Sequence, residues 1–195
     1  MLEAKYRHLY QRCLVDGLAA GLSRLEFIHP KHLSLLSCFF GVLVIPLLFY
    51  HHPIWAVITL LFSGYLDSVD GTLARLKKMS SVSGAVLDIM CDRLVEFAVI
   101  MGLYLQQPAR AFWCILMLGS ILICITSFLL AAAVSENESH KSFHYSPGLM
   151  ERAEAFIFFV AMILFPSVFE GLAVLFSILV FYTAAVRIMQ LLRQC

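Results

Sequence analysis

The reading turns on the stretch DSVDGTLAR at residues 67–75, followed by LKKMSSVS at 76–83 and GAVLDIMCD at 84–92. It sets four aspartates, Asp67, Asp70, Asp88 and Asp92, in a chain of 195 residues that is 61% apolar and only 14% charged. Mean hydropathy is +0.87, whereas a soluble domain is about a quarter charged. Lipid is the solvent for most of this chain, and there a charged side chain at mid-helix costs at least about 2.5–3.5 kcal/mol. The spacing argues for purpose. Asp67 and Asp70 stand i, i+3 and Asp88 and Asp92 i, i+4, so each pair shares one helix face, and a tight connection brings the two faces together. Converging carboxylates repel one another and would protonate unless cations neutralise them. Hard oxygen ligands suit Mg2+ or Mn2+ rather than zinc, which calls for Cys or His.

The residues between the acidic pairs add to this. Gly71 and Ala74 follow Asp67 on the same helix face and leave a groove where phosphates can approach the backbone. Arg75 and the helix start around Ser83 and Gly84 offer a guanidinium and free N–H groups, both suited to a diphosphate. Against this stand small-residue helix packing for Gly71 and Ala74, with Gly64 upstream, and, for the aspartates, exposed loop carboxylates or a cation pathway in a transporter. Packing does not explain the carboxylates.

Working outward, the pattern predicts an all-α polytopic membrane protein of six transmembrane helices plus an N-terminal interfacial amphipathic helix. Residues 1–28 put Leu2, Tyr6, Leu9, Tyr10 and Cys13 on a stripe opposite Lys5, Arg7 and Arg12, the pattern of a helix lying in the membrane surface. Glu3, Arg12, Asp16, Arg24 and Glu26 interrupt any apolar core a signal peptide would need. Residues 29–195 are expected to form a six-helix membrane domain, with spans at Leu33–Tyr50, Ile54 to about Lys77, about Val86 to Gln106, Ala111–Val134, Glu151 to Pro166–Phe169, and Leu172 to about Met189. At roughly 20 residues per span these nearly exhaust the chain.

Lys and Arg placement gives the orientation. Lys5, Arg7, Arg12, Arg24 and Lys31 at the N-terminus, Arg75, Lys77 and Lys78 after the second span, Lys141 and Arg152 before the fifth, and Arg187 and Arg193 at the end share one side. Arg110 stands alone on the other, and Arg93 lies inside the third helix. Both termini and the acidic site are thus predicted to face the cytoplasm, in the inner membrane if the source is bacterial. A net charge of +1 leaves no field to recruit nucleic acid. Cys13, Cys38, Cys91, Cys114, Cys124 and Cys195 contain no C-x-x-C pair and read as small hydrophobes. Glu96 is read as an ion-pair partner of Arg93 rather than a fifth metal ligand. His51, His52 and His144 lack ligand spacing and read as interfacial.

At every fixed position the opening stretch resembles the signature of the CDP-alcohol phosphotransferase family, D-x-x-D-G-x-x-A-R, eight residues, G-x-x-x-D-x-x-x-D. Asp67, Asp70, Gly71, Ala74, Arg75, Gly84, Asp88 and Asp92 all match. The resemblance implies a six-helix integral membrane enzyme of phospholipid synthesis, commonly a homodimer, with its site at the cytoplasmic face. It implies that Asp67, Asp70 and Asp88 hold two divalent ions on the diphosphate of CDP-diacylglycerol, and that Asp92 touches metal and acts as general base. Gly71, Ala74, Arg75 and Gly84 would shape the CDP pocket, and the hydroxyl of a small polar alcohol would attack the phosphorus next to the lipid and release CMP.

Two further echoes concern that acceptor. Thr183-Ala184 followed by Arg187 resembles a T-A-x-x-R stretch of members that use inositol phosphate, and residues 148–154, GLMERAE, resemble a G-L-x-x-R-x-E segment. Ala155 stands where many relatives carry Arg, and Lys31 where relatives often carry Asn. Arg152, Arg187 and Lys141 are the candidates to bind a phosphorylated acceptor, with inositol phosphate or glycerol 3-phosphate favoured. The competing expectations are a divalent-cation transporter using the same aspartates and a non-catalytic protein that binds CDP-lipid.

Overall fold

The structure, a computed structural model, describes residues 15–23, 29–79, 81–137 and 152–193. It falls into two compact units divided between Pro108 and Ala109, and the described residues are helical, without strands. Of the interfacial helix expected over 1–28, the segment Asp16–Ser23 is described. Lys141, His144 and Glu151 lie outside the described residues.

The first unit contains α1 (Asp16–Ser23), α2 (Pro30–Val42), α3 (Val44–Phe49), α4 (Pro53–Leu76) and α5 (Val82–Gln106). The expected first span is thus two helices broken at Leu43. The cause is Pro46, which has no N–H to give and whose ring crowds the carbonyl of Val42 four residues back. Pro53 opens α4 at a position where its missing N–H costs nothing. α5 begins four residues before the expected Val86, because Ser81 caps it, its hydroxyl accepting from the Gly84 N–H. Between them Lys78 takes the left-handed conformation, φ 54°. Its N–H bonds the Arg75 carbonyl and the Met79 N–H bonds that of Ala74, the paired closure that ends a helix sharply.

α2 and α3 each pack on both α4 and α5, and α1 packs on α4. Ser37 and Ser63 tie α2 to α4, each hydroxyl donating to the other's carbonyl at 2.8 Å. Such pairs satisfy polar groups that lipid would not. α2 and α5 come together at Gly41, where a Cβ would collide with both methyls of Val95. Val15 and Ala19 on α1, Leu33 on α2, and Leu66, Val69 and Leu73 on α4 form one buried apolar cluster. Leu66, Val69 and Leu73 each precede a signature residue by one position, so burying them fixes the rotation of α4 and with it the aspartate face.

The second unit contains α6 (Ala111–Asn137), α7 (Arg152–Leu164) and α8 (Phe169–Leu192), with single 3-10 turns at Pro108–Arg110 and Pro166–Val168. α8 packs on α6 and α7 around buried Phe159, Met162, Ile163, Phe169 and Phe176. Arg110 is 5% exposed, stacked 4.3 Å from the Phe169 ring centroid and donating to the Pro166 carbonyl at 3.4 Å.

Among the described residues, three segments are long and apolar enough to cross a membrane: Pro30–Phe49, Pro108–Ala133 and Pro166–Leu192, with mean hydropathies of 2.2, 2.5 and 2.1. Large apolar side chains stay exposed along them, among them Phe39, Phe112, Ile115, Leu122 and Ile178, as lipid-facing helices require. The chain is an integral membrane protein.

Candidate metal centre

Each acidic pair sits on one face of its own helix, as the spacing predicts. On α4, Asp67 is partly buried and Asp70 is 4% exposed; on α5, Asp88 and Asp92 are both partly buried. One carboxylate oxygen from each of Asp67, Asp70 and Asp88 lies within 4.8 Å of the others. An octahedral ion with metal–oxygen bonds of about 2.1 Å separates its ligands by roughly 3–4 Å, so small side-chain shifts complete the fit. The donors are all carboxylate oxygens, without thiol or imidazole, which favours a hard divalent cation. Asp92 follows one helical turn beyond Asp88 and lies outside this set of three.

The surroundings separate packing glycines from an open one. Gly41 is a close-approach glycine. At Gly71, by contrast, apart from its chain neighbours and its own helix's backbone no described atom lies within 4 Å of where a Cβ would sit, so the described residues leave the helix face beside Asp67 and Asp70 open there. Gly84 has a local reason to lack a side chain, since a Cβ there would stand 3.2 Å from the capping Ser81 hydroxyl. Ala74 is partly exposed, and Arg75 is exposed, its guanidinium donating to the Thr72 hydroxyl at 3.0 Å. The expected ion pair between Arg93 and Glu96 is present at 2.7 Å, which occupies Glu96 outside the metal set.

The proposed acceptor residues belong to the second unit. Arg152 is the first residue of α7, with its guanidinium 5.6 Å from the centroid of Phe156. Arg187 on α8 donates to the Cys124 carbonyl at 3.3 Å and the Ser127 hydroxyl at 3.4 Å, and lies 5.5 Å from the Phe128 ring centroid. These contacts pin α8 to α6. Thr183 bonds the Leu179 carbonyl within its own helix. Ser81 and Ser83, missed as individual contacts by the sequence reading, bracket the start of α5; the S-x-x-G pattern of a capped helix was the available signal.

The family model described as CDP-alcohol phosphatidyltransferase matches residues 27–189. The chain belongs to the CDP-alcohol phosphatidyltransferase family. It is 31% identical over 171 residues to the inner membrane protein YnjF of Escherichia coli, covering 83% of this chain and 82% of that one. It is 30% identical over 151 residues to the phosphatidylinositol phosphate synthase of Corynebacterium glutamicum, covering 74% and 66%. Among solved structures, the phosphatidylinositol phosphate synthase PgsA1 of Mycobacterium tuberculosis with CDP-DAG bound has the same fold. Its TM-score is 0.73 at 21% identity, over 91% of this chain and 92% of that one. As a member of this family the chain is a metal-dependent phosphotransferase rather than a cation transporter, and Asp67, Asp70 and Asp88 form a carboxylate cluster that could hold a divalent ion.

Proposed function

We propose that this phosphatidyltransferase moves a phosphatidyl group from CDP-diacylglycerol to an inositol phosphate and releases CMP. The convergence of Asp67, Asp70 and Asp88 from two helices carries the donor half of the reading. The inositol phosphate acceptor is favoured by the relatives, which include phosphatidylinositol phosphate synthases of two bacteria and an archaetidylinositol phosphate synthase.

In this reading Asp67, Asp70 and Asp88 hold two divalent ions, with Asp92 completing the set. Divalent ions held there would supply positive charge to neutralise the diphosphate and to stabilise the attacking and leaving oxygens of an in-line displacement. Asp92, one turn from Asp88 on the same face, takes the proton of the acceptor hydroxyl as it attacks the phosphorus next to the lipid. The open face at Gly71, with Ala74 and Gly84, admits the CDP, and Arg75 offers it a guanidinium. Arg152, Arg187 and Lys141 meet the acceptor's phosphate. Arg187 then has two duties, because its present partners already hold α6 and α8 together.

The same reading places six spans in the membrane. At 1.5 Å per residue the 24 residues of α4 and 25 of α5 reach about 36 Å, more than the hydrocarbon core of about 30 Å. Residues 1–28 then lie in the interface, 29–195 form the catalytic domain, the site and both termini face the cytoplasm, and two copies pair.

The test is CMP release by the purified protein from CDP-diacylglycerol, with inositol phosphate, glycerol 3-phosphate, inositol and serine as acceptors. Inositol phosphate is expected to give the highest kcat/KM. Preference for glycerol 3-phosphate keeps the donor half and overturns the acceptor. Release that proceeds without Mg2+ or Mn2+, or equally in Asp92→Asn, overturns the mechanism.

A further inference from the structure

We propose that Lys31 is a positioning residue for the metal-binding aspartates, acting through Ser83. The inference rests on the two-metal reading above. Asp67 and Asp70 stand on α4 and Asp88 on α5, and both helices pack on α2. The register between the acidic pairs therefore depends on how α2 holds its two neighbours. Along its length it uses Gly41 against Val95 of α5 and Ser37 against Ser63 of α4. Its first turn does the same with two side chains of opposite character. Leu33 enters the apolar cluster with Leu66, Val69 and Leu73 of α4. Two residues earlier, the Lys31 ammonium donates to the Ser83 hydroxyl of α5 at 2.9 Å, across 52 positions of sequence.

The contact lands where α5 starts. Ser83 neighbours Gly84, whose N–H is capped by Ser81 at 3.1 Å, and the Ser81 and Ser83 hydroxyls are 3.3 Å apart. Asp88 lies five residues further on, about 7.5 Å along the helix axis. Without Lys31, the first turn of α5 keeps its own cap and a connection through Lys78 in a left-handed conformation, and helix ends held only locally fray. A freely solvated lysine is the plain alternative. A cation beside a helix N-terminus gains nothing from the helix dipole, which opposes it there, so helix stability does not account for the placement. The hydrogen bond between two helices does.

The experiment uses the full-length protein in nanodiscs, with Lys31→Met, Ser83→Ala and the double variant. Mn2+ binding is read by electron paramagnetic resonance, alongside thermal unfolding and KM for CDP-diacylglycerol and for the acceptor. A residue bonded directly to a metal ligand changes affinity 10–100-fold; Lys31 is further removed, so each single variant is expected to weaken Mn2+ binding about three- to tenfold. The double variant should lose no more than the larger single loss, because either change alone already breaks the Lys31–Ser83 contact. Donor KM should rise while acceptor KM and unfolding temperature stay near wild type. Should Lys31→Met not fold, Ser83→Ala removes one hydroxyl oxygen and decides alone. Wild-type binding of Mn2+ with unmoved variants, additive losses in the double variant, or a uniform fall in stability with no change in Mn2+ affinity would each overturn the clasp. Wild-type protein that binds no Mn2+ overturns the two-metal reading and the clasp with it.

Discussion

Two glycine-to-alanine changes, made in the same unit of the fold, separate packing from chemistry. At Gly41 a Cβ would collide with the Val95 methyls and come within 3.1 Å of the Ser63 hydroxyl, which is engaged with Ser37. Neither neighbour can swing away, since Val95 is 1% exposed and Ser63 0%. Over-packing of a filled core costs about 1–3 kcal/mol, so Gly41→Ala is expected to lower stability and to lower activity only as folded protein is lost. Gly71 is the reverse. Apart from its chain neighbours and its own helix's backbone, no described atom lies within 4 Å of the new Cβ, and alanine is the better helix former by up to about 1 kcal/mol, so Gly71→Ala should unfold at or above the wild-type temperature. Its methyl instead occupies the face proposed to admit the CDP-linked donor, and donor kcat/KM is expected to fall by about tenfold or more, the equivalent of about 1.4 kcal/mol. The assay pairs thermal unfolding by size-exclusion chromatography with CMP release on the surviving folded fraction. Full activity in Gly71→Ala refutes the groove. Destabilisation of Gly71→Ala to match Gly41→Ala shows instead that Gly71 is a packing residue.

Asp88→Asn removes one charge of the three that converge and should weaken Mn2+ binding by at least about tenfold while leaving the fold intact, as measured by metal titration and unfolding temperature. Stripping the wild-type protein with a chelator should abolish CMP release, with recovery on adding Mg2+ or Mn2+ but not Ca2+, whose longer bonds and higher coordination number suit a looser site. Arg187→Ala should raise acceptor KM and also cost stability, because it vacates the Cys124 carbonyl and Ser127 hydroxyl that join α6 to α8; a rise in KM at unchanged unfolding temperature would assign Arg187 to the acceptor alone. Lys78→Gly relieves a left-handed lysine, φ 54°, and should raise stability by about 0.5–1 kcal/mol with activity retained, read from the unfolding temperature and CMP release.

What the sequence disclosed follows the range of the forces involved. Helical spacing is local, so Asp67 with Asp70 and Asp88 with Asp92 were legible as shared faces, as was the Arg93–Glu96 pair three residues apart. The apolar runs gave the existence of every described helix beyond residue 29, with boundaries displaced where a local feature went unweighed. Pro46 split the first span, and the Ser81 cap drew α5 back to Val82. The Gly71 alternatives were undecided in sequence because a packing glycine and an open one share a pattern; among the described residues none from another element packs where its Cβ would sit, whereas Gly41 meets Val95.

The contacts that set the site's precision are of the other kind. Leu33 with Leu66, Ser37 with Ser63, Gly41 with Val95 and Lys31 with Ser83 all join residues that are tens of positions apart, and no periodicity announces them. All four contacts involve α2, which carries no signature residue. A metal site built from two helices needs their relative rotation and height fixed to a fraction of an ångström, and here a third helix supplies both constraints, rotation through the buried Leu66–Val69–Leu73 stripe and height through the contacts at either end of α2. It follows that substitutions on α2 facing α4 or α5 should act on metal affinity before they act on acceptor choice, whereas substitutions on its exposed side, at Leu35, Leu36 or Phe39, should leave both unchanged.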